Sequence, residues 1–303
     1  MKKKLSLALA SVMTLGLILS GCGGNNTSSG SGGGDGSVPA ADDTTAAETT
    51  ASGDSGVDTA GFMIDVLNAD IQTADVQKTS KDYTLPQNIY DRLLEIEVDD
   101  AGVSKIVPSL AEDWDISADG LEYTFHLRQD VKFQNGNDFT AEDVVYTFHR
   151  LLTVENGVNT ELLDQVKGAA EVIEGSADTL EGVEMVDDYT VKITLKEPFA
   201  AFLSCLTAPG LSIYDSEATE AAGDQFGMDP AVTVGTGPFR FAGWTFNDQL
   251  VLVKNEDYWK GAPELPGGVI KIIPDTETQP MMFESGELDL LDLDFVTDAA
   301  DRF

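Results

Sequence analysis

A run of strict alternation in the first half of the chain leaves the backbone little choice. Leu121, Tyr123, Phe125 and Leu127 alternate with Glu122, Thr124, His126 and Arg128. Successive side chains of a strand point to opposite faces, so this pattern buries one face and wets the other. Trp114 and Ile116 lie in the strand before it, and Ser117-Ala118-Asp119-Gly120 makes the joining turn. Val131 and Phe133 lead into a second turn, Gln134-Asn135-Gly136-Asn137. Thr140, with Asp143 three residues on, then opens a helix with a carboxylate variant of the capping box. Val144, Val145, Phe148, Leu151 and Leu152 recur at helical spacing and form its packing face. Leu110 to Leu152 therefore reads as hairpin, turn and capped helix.

The N-terminus is built differently. Lys2, Lys3 and Lys4 precede an apolar run from Leu5 to Leu19, closed by Ser20-Gly21-Cys22. A basic head, a short apolar middle and small residues before a cut are the anatomy of a secretory signal. The run is shorter than the roughly 20 residues needed to span a bilayer. Leu19-Ser20-Gly21-Cys22 resembles a bacterial lipobox, which implies a signal peptide over 1–21 and a mature protein lipidated on Cys22. A plain transmembrane anchor and an ordinary secreted protein are the alternatives. Residues 22–57 are Gly, Ser, Thr, Ala and Asp with little to bury, and read as a disordered tether reaching roughly 30–35 Å. Gly53-Asp54-Ser55-Gly56 imitates a serine-protease nucleophile sequence, but nothing nearby would aim the serine or hold an oxyanion.

Charge and cysteine use narrow the partners. Removing Lys2 to Lys4 leaves 15 Lys and Arg against 53 Asp and Glu, a formal charge of −38. That excess argues against nucleic acid and against adhesion to anionic lipid without an anchor. The one other cysteine, Cys205, sits in the apolar run FLSCL and reads as a small core residue. With Cys22 acylated, no intramolecular disulfide can form.

About 245 residues remain after the tether, near the limit of one core, so two lobes are expected. Phe62 to Leu67 reads as a buried strand and Ile89 to Glu95 as a helix. Val103 to Val107 is expected to start the sheet that holds Trp114. Glu161 to Ile173 mixes helix and turn, and Val183 to Leu195 is a hairpin with Asp187-Asp188 at its turn. Ala200 to Thr207 is a short helix broken by Pro209-Gly210. Gly235 and Gly237 allow a tight backbone before a strand ending at Trp244. Strands follow at Leu250 to Val253 and Val269 to Ile273, then a helix over Thr276 to Glu284. Beyond Gly286, LDLLDLDF alternates like a strand with one wet face.

In order, LAEDW, DG, YTFHLR, VKF and FTAEDVVYTFHRL resemble the signature of family 5 extracellular solute-binding proteins. IQTADVQ (71–77), IYDRLLE (89–95), VGTGPFRFAGW (234–244), LVKNEDYWKG (252–261) and FESGELDL (283–290) extend the likeness from about Phe62 onward. The resemblance implies an α/β, two-lobed periplasmic-binding-protein-like fold with an extra inserted subdomain. Lobe I would hold 58–87 and 188–266, with the insert at 88–187. Lobe II would start at 267–303 and be mostly missing from the chain. It further implies a monomeric receptor of an ABC importer, held by lipid on the outer face of the cytoplasmic membrane. Such a receptor captures oligopeptides or dipeptides between its lobes and delivers them to permease and ATPase subunits, with no cofactor. By order and spacing the ligand backbone would meet Tyr83, Thr84 and Leu85, beside Pro86, with Asn159 and Val158 contributed by the insert.

Other chemistries find weaker support. The two histidines, His126 and His149, lie on a strand and a helix with no metal-ligand spacing. Asp115-x-Ser117-x-Asp119-Gly120 imitates half a calcium loop, but its twelfth position is His126, so a hairpin turn is the reading. Asp289, Asp292 and Asp294 alternate with leucine as a wet strand face would, rather than as paired catalytic carboxylates. A nickel or haem receptor, a sensory surface lipoprotein and a carboxylate hydrolase remain the competing readings.

Overall fold

The computed structural model describes residues 56–293 and Val296. The expected signal segment, Cys22, nearly all of the tether and Asp294 lie outside those residues. In chain order the strands are β1 (Met63–Leu67), β2 (Leu94–Val98), β3 (Ser104–Pro108), β4 (Ala111–Ile116), β5 (Glu122–Leu127), β6 (Val183–Asp187), β7 (Thr190–Thr194), β8 (Phe239–Thr245), β9 (Gln249–Lys254) and β10 (Gly267–Ile272). The α-helices are α1 (Thr84–Ile89), α2 (Ala141–Thr153), α3 (Ala169–Ile173), α4 (Phe202–Cys205), α5 (Ser216–Ala222) and α6 (Thr278–Ser285). Among the described residues no helix is long and apolar enough to cross a membrane.

The alternating run becomes β5, in an antiparallel sheet of order β4-β5-β7-β6. Tyr123, Phe125 and Leu127 are buried while Glu122, Thr124 and His126 are not. Gly120, at φ 71°, closes the turn before it through a 2.9 Å bond from its N–H to the Ser117 carbonyl. Helix α2 lays Val144, Phe148, Leu151 and Leu152 into the core of this sheet. Its capping box forms as expected, the Asp143 carboxylate accepting from the Thr140 N–H at 2.9 Å.

A second sheet, β1-β10-β9-β8, pairs β1 with β10 in parallel and is otherwise antiparallel. Its core joins Leu250, Leu252, Ile270 and Phe241 to Leu85 and Ile89 of α1 and to Tyr90, Tyr214 and Phe226. Gly235 and Gly237 are required where the chain enters β8. A Cβ at 235 would stand 2.0 Å from the Ile89 carbonyl oxygen, and one at 237 would stand 2.5 Å from the Ile89 carbonyl carbon.

Three expectations need correction. The helix sits at 84–89, not 89–95, and its buried residues are Leu85, Pro86 and Ile89. From Leu94 onward, apolar Leu94, Ile96 and Val98 alternate with Glu95 and Glu97, and β2 results. Second, β3 does not join the sheet of Trp114; it pairs with β2 in a separate ribbon. At the junction the N–H groups of Ser109 and Ala111 both turn to the Leu93 carbonyl. The expected limit at 187/188 falls in the turn between β6 and β7, and 267–272 lies between β1 and β9. Third, Leu288 to Leu293 forms no strand: the N–H groups of Asp289 and Leu290 both reach the Ile64 carbonyl, so the segment hangs on the edge of β1.

Candidate functional site

Residues 73–79 have no regular structure, yet all but half-buried Lys78 are buried. Irregular buried backbone must find partners for its polar groups, and here they come from distant elements. The Ala74 N–H meets the Gly227 carbonyl at 2.8 Å, and the Val76 N–H meets the Tyr214 hydroxyl at 2.9 Å. Arg150, near the C-terminal end of α2, donates to Asp75 at 2.7 Å and to the Gln77 side chain at 2.6 Å. Gln77 in turn donates to the Thr147 carbonyl at 2.9 Å, and Tyr214 donates to Asp75 at 3.0 Å. Burial alone would lower the Arg150 pKa, but the Asp75 carboxylate raises it above its ordinary value. Burial, and then Asp75, push the Tyr214 and Tyr90 hydroxyls far up, so both stay neutral.

Asn159, in the segment that follows α2, completes the clamp. Its backbone is left-handed at φ 66°, and its amide nitrogen donates to the Val76 carbonyl at 3.2 Å and the Tyr83 hydroxyl at 3.3 Å. The Val158 N–H adds a 2.8 Å bond to the Gln77 carbonyl. Two of the expected site residues, Tyr83 and Asn159, are therefore in direct contact although 76 positions separate them.

The strip opens at the start of α1. Asp82 accepts from the Thr84 N–H at 2.8 Å, and Asn88 donates to the Thr84 carbonyl at 2.7 Å. Thr84 and Asn88 border a cavity of about 190 Å³ at the end of the second sheet, with Met63, Asp65 and Phe239. Burial pushes the Asp65 carboxyl up, and the nearby Asp82 and Asp292 carboxylates add to that. Leu85 and Pro86 are placed otherwise: both are buried, Leu85 within the core, so neither side chain faces this opening. Sequence reasoning missed Asp65, Asp75, Gln77, Asn88, Arg150 and Tyr214. Only IQTADVQ carried any signal for Asp75 and Gln77, as polar residues within a motif.

A second buried carboxylate, Asp91, joins the ribbon side to the rest. It accepts from Thr236 at 2.9 Å, Trp259 at 2.9 Å and Tyr258 at 3.1 Å. Burial raises its pKa against those hydrogen bonds. This arrangement is structural, since every donor is neutral and internal.

His126 lies 3.4 Å from Asp115 and 3.8 Å from Asp113 on an exposed sheet face. Among the described residues no group of three or more His, Cys, Asp and Glu is gathered to hold a metal. Asp289 accepts from the Ile64 N–H at 2.8 Å and so fastens the segment to β1. Cys205 is half-buried, and burial pushes its thiol up, away from the reactive thiolate.

The profile described as "Bacterial extracellular solute-binding proteins, family 5 Middle" matches residues 105–302, about two thirds of the chain. Heme-binding protein A of Haemophilus influenzae is 37% identical over 225 residues, covering 71% of this chain and 40% of that protein. Di/tripeptide-binding protein 2 of Pseudomonas aeruginosa is 34% identical, covering 61% and 36% respectively. The solved substrate-binding domain of an oligopeptide ABC transporter from Bacillus anthracis superposes with a TM-score of 0.71 at 29% identity, covering 79% of this chain and 47% of that one. The chain thus spans less than half the length of each.

Proposed function

The chain belongs to the bacterial extracellular solute-binding proteins of family 5, and from that premise we propose that it captures peptides outside the cell and passes them to an ABC permease driven by its ATPase. The fold class is the α/β, two-lobed periplasmic-binding-protein type. The observation that carries the ligand reading is the 73–88 strip. Tyr214 and Asn159 hold its backbone at Val76 and Arg150 holds the Asp75 and Gln77 side chains, while Tyr83, Thr84 and Asn88 remain half-buried at an open edge. A pre-formed polar edge of this kind suits an extended peptide, which offers main-chain donors and acceptors without regard to side chain. Binding and release, rather than bond chemistry, is what such an edge can do. Closure around the ligand would give the permease a distinct form to recognise. Cys22 would carry the lipid that keeps the receptor at the outer face of the membrane.

Isothermal titration of the full chain with defined di-, tri- and pentapeptides tests this. Saturable heat is expected with at least one length, weakened about tenfold by Tyr83→Phe or Asn159→Ala. Silence across all lengths would remove the peptide reading. The similarity to a haem-binding relative gives the test its second arm: a Soret shift on adding haemin, without peptide heats, would assign haem instead. Anchoring is checked separately, since Cys22→Ser should move the protein from the membrane fraction to the soluble one.

A further inference from the structure

A cavity of about 570 Å³ lies between the 225–231 loop and β8, within the roughly 300–1,000 Å³ range of small-molecule sites. None of the residues of the peptide strip lines it. We propose that it is a second binding site, selective for a small organic ammonium compound with an apolar body.

Its walls are aromatic and soft. Phe241 and Trp244 of β8 stand with ring centroids 6.4 Å apart, and Phe246, Met228 and Pro230 continue the lining. Phe246 is 69% exposed, the highest value for a large apolar side chain among the described residues, and Met228 is 46% exposed. A lone exposed phenylalanine needs no explanation, but two such side chains bordering one cavity form a surface that a ligand can cover.

The walls are also braced. Asp70 accepts the Trp244 indole N–H at 3.0 Å and the Asn247 N–H at 2.6 Å. One carboxylate therefore holds both the ring and the turn that displays Phe246. That turn is closed by the Asp248 N–H on the Thr245 carbonyl at 3.0 Å, with Asn247 left-handed at φ 56°. The indole's one polar atom is committed to Asp70, so the ring offers the cavity only its π system.

Charge sets the ligand class. Asp229 lines the cavity, its Oδ1 accepting from the Ala231 N–H at 2.9 Å, and no Lys or Arg is among the lining residues. Aromatic faces beside a carboxylate attract a cation and reject an anion, and the chain's net charge of −35 acts in the same direction.

Benzyltrimethylammonium is the probe, titrated into the full chain and followed by tryptophan fluorescence. Saturable binding is expected, weakened about five- to tenfold by Asp229→Asn and by Phe246→Ala. Both variants should keep the wild-type Tm, since Asn retains the acceptor for Ala231 and Phe246 lies on the surface. Benzyl alcohol and 3-phenylpropionate, neutral and anionic, should bind at least five- to tenfold more weakly. Equal binding of either, unchanged affinity in both variants, or no saturation overturns the proposal. Displacement of the probe by peptides would overturn its independence from the peptide strip.

Discussion

Asp75 has no side-chain solvent exposure and a guanidinium 2.7 Å away. Removing one partner of such a pair strands the other, so Arg150→Met should cost about 3–5 kcal/mol in urea unfolding. The double variant Arg150→Met/Asp75→Asn should recover most of that, because it leaves no buried charge. Asp91 behaves differently. Its folded pKa lies above its unfolded value, since burial opposes the charge more than the Trp259 and Thr236 hydrogen bonds favour it. Its contribution to stability is therefore fully present below the unfolded pKa, about 3.9, and is lost as pH rises through the folded one. Wild-type stability measured against Asp91→Asn should fall as pH rises from about 4 towards neutrality. A flat difference in urea midpoints would refute it. Neither carboxylate could be singled out from sequence, because a buried acid looks like any other acid until its partners, some 75 and 145 residues away, are folded against it.

At the scale of elements, the entry to β8 makes the sharpest prediction. Gly235→Ala would push a methyl group into the Ile89 carbonyl oxygen, where backbone rather than a flexible side chain must yield. A loss of about 3 kcal/mol or more is expected from a thermal or urea melt, at the upper end of overpacking effects. Here the sequence was readable, since two glycines ahead of a proline mark a close approach. The β4–β5 hairpin, α2 with its capping box, the β6–β7 hairpin and α6 ending at left-handed Gly286 were readable for the same reason. Their signals are local periods, turn residues and caps. Helix α1 was misplaced because Leu93 and Leu94 satisfy a helical spacing as well as they begin a strand. LDLLDLDF was misread because period two gives a face but not a partner, and the Ile64 carbonyl took the backbone donors of Asp289 and Leu290.

At the scale of the whole molecule, two hydrophobic cores among the described residues are tied together by polar networks that cross between them. Arg150 and Thr147 on α2 reach Asp75, Gln77 and Tyr214, and Asp91 gathers Thr236, Tyr258 and Trp259. One cooperative urea transition, coincident by tryptophan fluorescence and far-UV circular dichroism, is expected for the wild type. Breaking the Arg150–Asp75 link should separate the two signals. If they remain coincident in Arg150→Met, the cores are coupled by other contacts. By itself the sequence determined what each short segment can become: its strand faces, its helix faces, its turns, and the family signature those elements compose in order. Tertiary structure alone decided that β10 slots beside β1 in parallel, that β3 leaves the sheet of Trp114, and that Tyr83 meets Asn159. The reason is physical. Periodicity and capping are energies between near neighbours, written within a few residues of chain. Strand partners and buried ion pairs are chosen by desolvation and packing between segments that meet only once the chain has folded.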